Sequence, residues 1–326
     1  MKLRQQLEHS TQFDAEYGHN LASHLPMALT ALARLGADEA RLATFAERYA
    51  ARLRAAPPAE VWPAGEAWAS RFGDPAAWPA YRNLFAEWLD HESPASVLAQ
   101  ALPPLLRGVG AAAFHGLIRV AYAVSAGAEP RQELADALAY WACRWFALGS
   151  APANGSKTDP AAVLAAMQLA KPKRPLIAER MALVAEQPAF ARAAAQLAVN
   201  AATLERLATL AARLYAASEN FTVLHLVTSA HAMRVLLAFV EPEQASEAVS
   251  HYWRAFAAGY AASGLNDSDR TALPRVPLKP WPALMARALV CDDDHLIKLI
   301  DSCREQQRAY GGAVWREAAS RAAASA

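Results

Sequence analysis

The stretch FTVLHLVTSAHAMRVLL, Phe221–Leu237, decides the fold class. Apolar residues fall on nearly every side of it, and no Lys, Arg, Asp or Glu occurs before Arg234. This pattern is typical of a helix buried inside a helical protein. Two histidines, His225 and His231, lie within the apolar run. A buried imidazole needs hydrogen-bond partners or a metal, because an unpaired polar group in apolar surroundings is costly. The stretch is therefore both the predicted centre of the fold and the first candidate for a functional site.

The composition of the whole chain predicts the same class. Hydrophobic residues make up 54% of the 326 residues, alanine is the commonest residue, and there are only 14 glycines. Alanine has the highest helix propensity, and no run of residues has the alternation of a strand. We predict an all-α protein with one large, bundle-like helical domain over 1–326, an internal pocket and no sheet of three or more strands. A soft domain boundary is expected, if anywhere, near 150–158, where the residues are small and polar.

Charge and cysteine content exclude several classes of protein. The net charge of +1 lacks the positive excess of a nucleic-acid-binding surface. The three cysteines, Cys143, Cys291 and Cys303, form neither a disulfide framework nor a CxxC metal motif. The first ten residues, MKLRQQLEHS, contain no apolar segment typical of a signal peptide, and no uninterrupted apolar run has the length of a membrane span. A soluble, cytoplasmic protein is predicted, and its oligomeric state stays open.

Further histidines resemble the pair in the central stretch. They also lie at apolar stretches, and they are His19, His24, His115 and His295. His295 lies three positions before Lys298. Helices that present histidines from apolar faces are typical of a metal or catalytic centre in a helical bundle, and imidazole suits iron, zinc and copper. Six residues place His225 and His231 about 120° apart on a regular helix, so one of them lies outside a shared site or the backbone is irregular. The chain has no HExxH and no GxSxG, which disfavours a zincin and a serine hydrolase.

Local signals place some of these histidines. The stretch His19–Gly36 is predicted as a helix that ends at Gly36 and, because of Pro26, either kinks or begins near Ser23. The second alternative puts His24 at the mouth of the helix. The stretch 108–127 nominally matches a dinucleotide fingerprint, but no strand precedes it, so we interpret it as a close helix–helix approach. The aromatic residues between 68 and 89 are interpreted as core packing.

Four stretches resemble one known family. They are YGHNLASHLPMALTALARLGA, AAAFHGLIRVAYAV, FTVLHLVTSAHAM and DDDHLIKLIDSC, which look like the signature blocks of the questin oxidase-like family, in that family's order, from Tyr17 to about Cys303. The resemblance implies an α-helical fold. It also implies oxygen-dependent chemistry on polyketides, including Baeyer–Villiger-type oxidation, or cleavage, of anthraquinone rings in fungal members.

The resemblance implies a set of site residues as well. Related ring-cleaving members imply a non-haem iron held by histidines and a carboxylated lysine. Carried over by position, the metal ligands are His24, His115, His225, His231 and Lys298, and the catalytic candidates are His19, Asn20 and His295. His19 and His295 are rivals for a place among the ligands. A lysine must be neutral to react with CO2, so its pKa must fall, which burial near a cation or metal provides.

Three functions follow as hypotheses. The leading one is an Fe(II)-dependent oxygenase that uses O2 on an aromatic, polyketide-like substrate, with Trp and Phe side chains lining an apolar pocket. The second is an NADPH-dependent Baeyer–Villiger-type monooxygenase. The third is a metal-free helical protein that binds a small molecule, in which the histidines bond to one another and to the backbone.

Overall fold

The fold is helical, as predicted. The computed structural model describes residues 2–127, 131–149, 155–265, 273 and 276–325. Helices account for 68% of the chain, and the described residues contain one sheet, of two strands. The α-helices are α1 (Leu3–Ser10), α2 (Leu25–Leu35), α3 (Glu39–Ala50), α4 (Trp78–His91), α5 (Pro94–Leu106), α6 (His115–Ser125), α7 (Arg131–Cys143), α8 (Pro160–Ala165), α9 (Ile177–Ala185), α10 (Pro188–Ala194), α11 (Thr203–Ser218), α12 (Phe221–Leu237), α13 (Pro242–Ala262), α14 (Trp281–Val290), α15 (Asp294–Tyr310) and α16 (Val314–Ser325). Three 3-10 helices are η1 (Trp68–Arg71), η2 (Pro75–Ala77) and η3 (Ala111–Phe114).

Helix α12 is the centre of the fold, and its bounds are those of the apolar stretch in the sequence. The side chain of Asn220 caps its first turn by accepting hydrogen bonds from the backbone N–H groups of Thr222 and Val223, at 2.9 and 3.2 Å. Four helices, α6, α11, α13 and α15, pack around α12. Because neighbours surround it, α12 has no solvent-facing stripe over most of its length.

A short hairpin precedes helix α2. Strands β1 (Glu16–Tyr17) and β2 (Leu21–Ala22) pair antiparallel, and helix α2 then begins at Leu25 with His24 at its N-cap position. The predicted helix start near Ser23 is therefore confirmed, and a helix from His19 is wrong. Pro26 explains the start, because a proline fits only the first turn of a helix. Gly36 ends the helix with φ of 102°, a conformation that glycine adopts without strain.

The buried apolar side chains form one contiguous core that runs from α1 to α16. The aromatic residues around η1 and α4 belong to it: Trp68 contacts Phe72, Phe85 and Trp88 edge to face, at centroid distances of 4.9–5.9 Å. The core-packing interpretation of this aromatic region is confirmed.

The glycine-containing stretch before α6 is a packing feature. A Cβ atom at Gly108 would overlap the indole ring of Trp145. The described residues contain no parallel strand pair in a βαβ unit, so this stretch is not a dinucleotide fingerprint.

The remaining features of the fold are one loop region and the end of the chain. The soft boundary near 150–158 falls partly outside the described residues, since 150–154 are not among them, and it stays a prediction. The alanine-rich residues after Tyr310 form helix α16. In the described part of the chain, no helix has the length and apolar character that crossing a membrane requires.

Candidate functional site

Four imidazole rings from four different parts of the fold lie side by side. These rings, called here the histidine cluster, belong to His24 before α2, His115 at the start of α6, His225 on α12 and His295 on α15. Their centroids form a closed circuit. The distances are 4.7 Å from His24 to His115, 5.0 Å from His115 to His225, 5.5 Å from His225 to His295 and 4.6 Å from His295 to His24. Four histidines that are far apart in the sequence thus lie together inside the helical core.

The Nδ1 atom of each ring in the cluster faces an oxygen. Nδ1 of His24 and Nδ1 of His295 both lie next to Asp294 Oδ1, at 2.7 and 2.8 Å. Nδ1 of His115 contacts the carbonyl oxygen of Ala112, and Nδ1 of His225 lies 2.9 Å from that of Phe221. Carbonyl and carboxylate oxygens only accept hydrogen bonds, so each Nδ1 carries the hydrogen and each Nε2 carries a lone pair.

The Nε2 atoms are left without ordinary donors. Nε2 of His24 and Nε2 of His115 lie 2.7 Å apart. Nε2 of His295 is buried and has no hydrogen-bond partner among the described residues. Metal-binding histidines typically donate one ring N–H to a carboxylate or a carbonyl and present the other nitrogen to the metal. The histidine cluster has this arrangement, so its donor set fits a metal that accepts imidazole, such as iron, zinc or copper.

Burial keeps three rings of the histidine cluster neutral, those of His24, His115 and His225. Desolvation, reinforced by the positive charge of Lys298, lowers the pKa of His24 to about 3. Desolvation also holds the pKa of His115 and the pKa of His225 well below the usual range. Burial alone would raise the pKa of Asp294, but the interaction with His24 and the hydrogen bonds from both neighbouring imidazoles hold it well below its usual range. The site therefore combines neutral imidazoles with one ionised carboxylate.

A left-handed turn aims His115 at the cluster. Ala112, Ala113 and Phe114 have φ values of 47°, 56° and 71°, in the region that residues other than glycine rarely adopt. The turn brings the carbonyl oxygen of Ala112 back to Nδ1 of His115, the first residue of α6. Such strain persists only where the surrounding structure imposes it, and it is concentrated at functional sites.

The histidine cluster borders a cavity of about 240 Å³. Its lining residues are Tyr17, Asn20, Leu21, Ala22, His24, Ala112, Ala113, His115, Tyr140, Pro175, Leu176, Ile177, Ala178, Phe221, His225 and His295. No Asp, Glu, Lys or Arg occurs among these described residues, and most of the wall is apolar. The predicted tryptophan lining is wrong, because the tryptophans of the described chain lie in the core and at its edge, away from this cavity.

The other predicted site residues are distributed differently. Asn20 lines the cavity with φ of 60°, whereas His19 lies on the exposed turn of the hairpin and is not among the cavity residues. His231 is buried but outside the histidine cluster, where Arg234 donates a hydrogen bond to its Nδ1 at 3.3 Å. The ring of His231 lies 6.3 Å from that of Tyr122. Lys298 is buried on α15, one helical turn after His295.

Asp294 is the candidate site residue that the sequence analysis missed. Within the described residues, His24, Asp294 and His295 are the group of potential ligands whose atoms all lie within 4.8 Å of one another. The signal in the sequence was the run of three aspartates directly before His295. A carboxylate next to a candidate histidine is a frequent partner of its N–H group.

One known protein family matches the chain. The family model described as Questin oxidase-like matches residues 19–303 of the chain. The chain belongs to the questin oxidase-like family. A comparison with curated proteins gave no match. Membership implies an oxidoreductase of the oxidase or oxygenase type, with a small-molecule substrate and O2 as its partners. The matched range contains the whole histidine cluster, together with Asp294 and Lys298.

Proposed function

We propose that this questin oxidase-like protein is an iron-dependent oxygenase whose substrate is a flat, uncharged aromatic compound of the polyketide type. One observation carries the proposal: all four Nδ1 atoms of the histidine cluster are held by oxygen acceptors, beside a largely apolar cavity. Such hydrogen bonds fix the ring orientation and make Nε2 a better metal ligand. Iron is the metal that best combines imidazole ligands with the oxygen chemistry of the family.

In this proposal the four Nε2 atoms would draw together around the iron, and Asp294 would orient His24 and His295 from outside. Among the described residues, only His24, Asp294 and His295 already have ligand atoms that all lie within 4.8 Å of one another. The competing ligand set is His24, Asp294 and His295, two histidines and one carboxylate, a combination common in non-haem iron oxygenases. We favour the four-histidine set because Asp294 Oδ1 already accepts the N–H of His24 and lies 2.8 Å from Nδ1 of His295. The competing set also includes no ligand from His115, whose Nε2 lies 2.7 Å from that of His24.

Lys298 is proposed as a further ligand, on the strength of the family resemblance. Its ammonium group would first lose one proton; the neutral amine nitrogen would then bond to the carbon of CO2 and lose a second proton, which leaves an anionic carbamate. The reaction needs the neutral amine, and burial lowers the pKa of Lys298 to about 8. A carbamate would place one negative charge beside neutral imidazoles and so complement a ferrous ion.

Ferrous iron, when bound, would supply the redox chemistry by which O2 reacts with an organic substrate. The chain's own residues would bind and orient that substrate. Leu176 and Ile177 contribute apolar wall that excludes water. Tyr17 and Asn20 contribute uncharged polar groups that can form hydrogen bonds with keto and phenolic oxygens.

The test is metal analysis combined with oxygen consumption. Protein purified without a His-tag and reconstituted with Fe(II) under anaerobic conditions is expected to hold stoichiometric iron and to consume O2 when 1,8-dihydroxyanthraquinone is added. The exposed His91→Ala variant is the matched control and should behave as wild type. Oxygen uptake that needs NADPH but not iron would favour the NADPH-dependent monooxygenase. Binding of the quinone with neither iron nor oxygen uptake would favour the metal-free binding protein.

A further inference from the structure

Two large apolar side chains at the cavity are exposed. Phe221, the first residue of α12, is 55% exposed, and Leu21, in strand β2, is 46% exposed, yet both line the cavity. Residues that line a cavity and also face solvent lie at its mouth. Exposed large apolar groups that adjoin a cavity are typical of a binding surface rather than of ordinary protein surface.

Phe221 is positioned by the histidine cluster. Its ring centroid lies 5.0 Å from that of His225 and 4.8 Å from that of His295, with interplanar angles of 76° and 56°. These contacts hold one side of the ring against the two imidazoles, while more than half of the residue remains open to solvent. An aromatic ring fixed in this way is a prepared surface for contact with another aromatic ring.

The size and the charge of the cavity indicate what binds there. A volume of about 240 Å³ lies below the roughly 300–1,000 Å³ typical of pockets that bury a whole small-molecule ligand. A compound of three fused rings with its reacting ring beside the histidines would therefore extend to the mouth. The described lining residues include no Asp, Glu, Lys or Arg, so they supply no partner for a charged substituent on the enclosed part of the ligand.

We propose that Phe221 and Leu21 form a second apolar subsite, at the mouth of the cavity, which binds the outer ring of a planar, uncharged, multi-ring aromatic substrate. This inference rests on the proposed function, because it assumes that an aromatic substrate reacts at the histidine cluster. The mouth subsite would let the protein distinguish multi-ring substrates from single-ring ones. A single ring fits inside the cavity and gains nothing from the mouth subsite, whereas a three-ring compound gains a contact with the Phe221 ring.

The experiment compares two probes under anaerobic conditions, which allow binding without turnover. The probes are 1,8-dihydroxyanthraquinone, with three rings, and catechol, with one. Phe221→Ala is expected to weaken binding of the three-ring probe about tenfold, the equivalent of one aromatic contact and its buried area, and to leave binding of catechol within twofold. Phe221→Trp, which keeps an aromatic surface, should restore most of the affinity for the three-ring probe.

The histidines are expected to remain in place in these variants. His225 is held by the backbone carbonyl of Phe221, which the substitution to alanine retains. Iron content and the circular dichroism spectrum check this point. Val61→Ala is the matched control, since Val61 is apolar, 83% exposed and not part of the cavity.

The outcomes separate the two proposals. If Phe221→Ala binds the three-ring probe as wild type does, or loses affinity equally for both probes, the mouth subsite is wrong and the proposed function stands. If wild-type protein binds neither probe, the aromatic substrate is wrong, and the mouth subsite is overturned with it.

Discussion

Nε2 of His24 and Nε2 of His115 lie 2.7 Å apart, although Nδ1 of each ring already has an oxygen acceptor. A neutral imidazole has a single N–H group, so this contact brings two lone pairs together. Either an added proton or a metal cation relieves their repulsion. Burial opposes the proton, since it holds the pKa of both imidazoles far below the usual range. The contact is therefore further support for the proposal that a metal binds here.

The first prediction separates ligands from other buried histidines. We expect His115→Ala to lose most of the bound iron and His231→Ala to keep it, because His115 belongs to the histidine cluster and His231 instead accepts a hydrogen bond from Arg234. Iron per chain is measured by elemental analysis after anaerobic reconstitution. Circular dichroism confirms that each variant is folded, since alanine suits a helix.

Asp294→Asn distinguishes the two ligand sets. If the four histidines bind the iron, Asp294 acts only through His24 and His295, and its loss should weaken iron binding about 10- to 100-fold. His115→Ala should then be the more damaging change. The opposite order, with iron retained in His115→Ala and absent from Asp294→Asn, would establish the set of two histidines and one carboxylate.

The second prediction concerns Lys298. If its amine is carboxylated, removal of CO2 from the buffer should lower iron content and oxygen consumption in the wild type, and added bicarbonate should restore both. Lys298→Met, which keeps the length and buried volume of the side chain, should give low values under both conditions. Carbon-13 NMR after incubation with labelled bicarbonate should show a carbamate signal in the wild type and not in the variant. A bicarbonate effect that persists in Lys298→Met would show that the effect does not arise from carboxylation of Lys298.

The sequence predicted the helical class because apolar periodicity is a local property that tertiary packing reinforces. Helix α12 has the bounds Phe221–Leu237 read from the sequence. The same pattern could not rank the histidines, since His225 and His231 are equally buried in it. Six residues along a regular helix turn the second imidazole about 120° away from the first. Whether the side chain of His225 or that of His231 points toward His24 and His115 depends on how the helices pack. The local sequence does not determine this packing.

The run Asp292–Asp294 is a second example of this limit. Three identical residues have three different partners: Asp292 pairs with Arg41 and Arg48, Asp293 caps helix α15, and Asp294 faces the histidine cluster. The start of the helix selects among them, because Asp293 is the extended N-cap residue and Asp294 is the first residue of the helix. A shift of the helix by one residue would exchange their roles.

The third prediction is loss of stability in acid. His24 has a folded-state pKa of about 3, and burial likewise lowers the pKa of His231. Below pH 6.5 the unfolded chain binds protons at these histidines and the folded chain does not. The free energy of unfolding of metal-free protein should therefore fall as the pH falls from about 6.5, by about 1.4 kcal/mol per pH unit for each such histidine.

His231→Leu isolates one contribution, because this histidine lies outside the histidine cluster. Urea titrations between pH 7 and pH 5 should give a pH slope that is smaller than that of the wild type by about 1 kcal/mol per pH unit on average. The exposed His91→Leu variant should keep the wild-type slope. Equal slopes in wild type and His231→Leu would contradict a buried, neutral His231.

The last prediction concerns the left-handed turn before His115. Ala113 has φ of 56° and is nearly fully buried, with a methyl group on the cavity wall. Glycine adopts this conformation without the penalty that an L side chain incurs, about 1–2 kcal/mol, although it loses more entropy on folding. We expect Ala113→Gly to change the free energy of unfolding by less than about 1 kcal/mol and to retain iron.

Ala113→Val should be strongly destabilised and poor in iron, since a β-branched residue at positive φ crowds its own backbone and would displace the turn that holds Nδ1 of His115. Urea titration and iron analysis of the two variants test this, and a stable Ala113→Val variant with full iron content would show that the turn does not position His115.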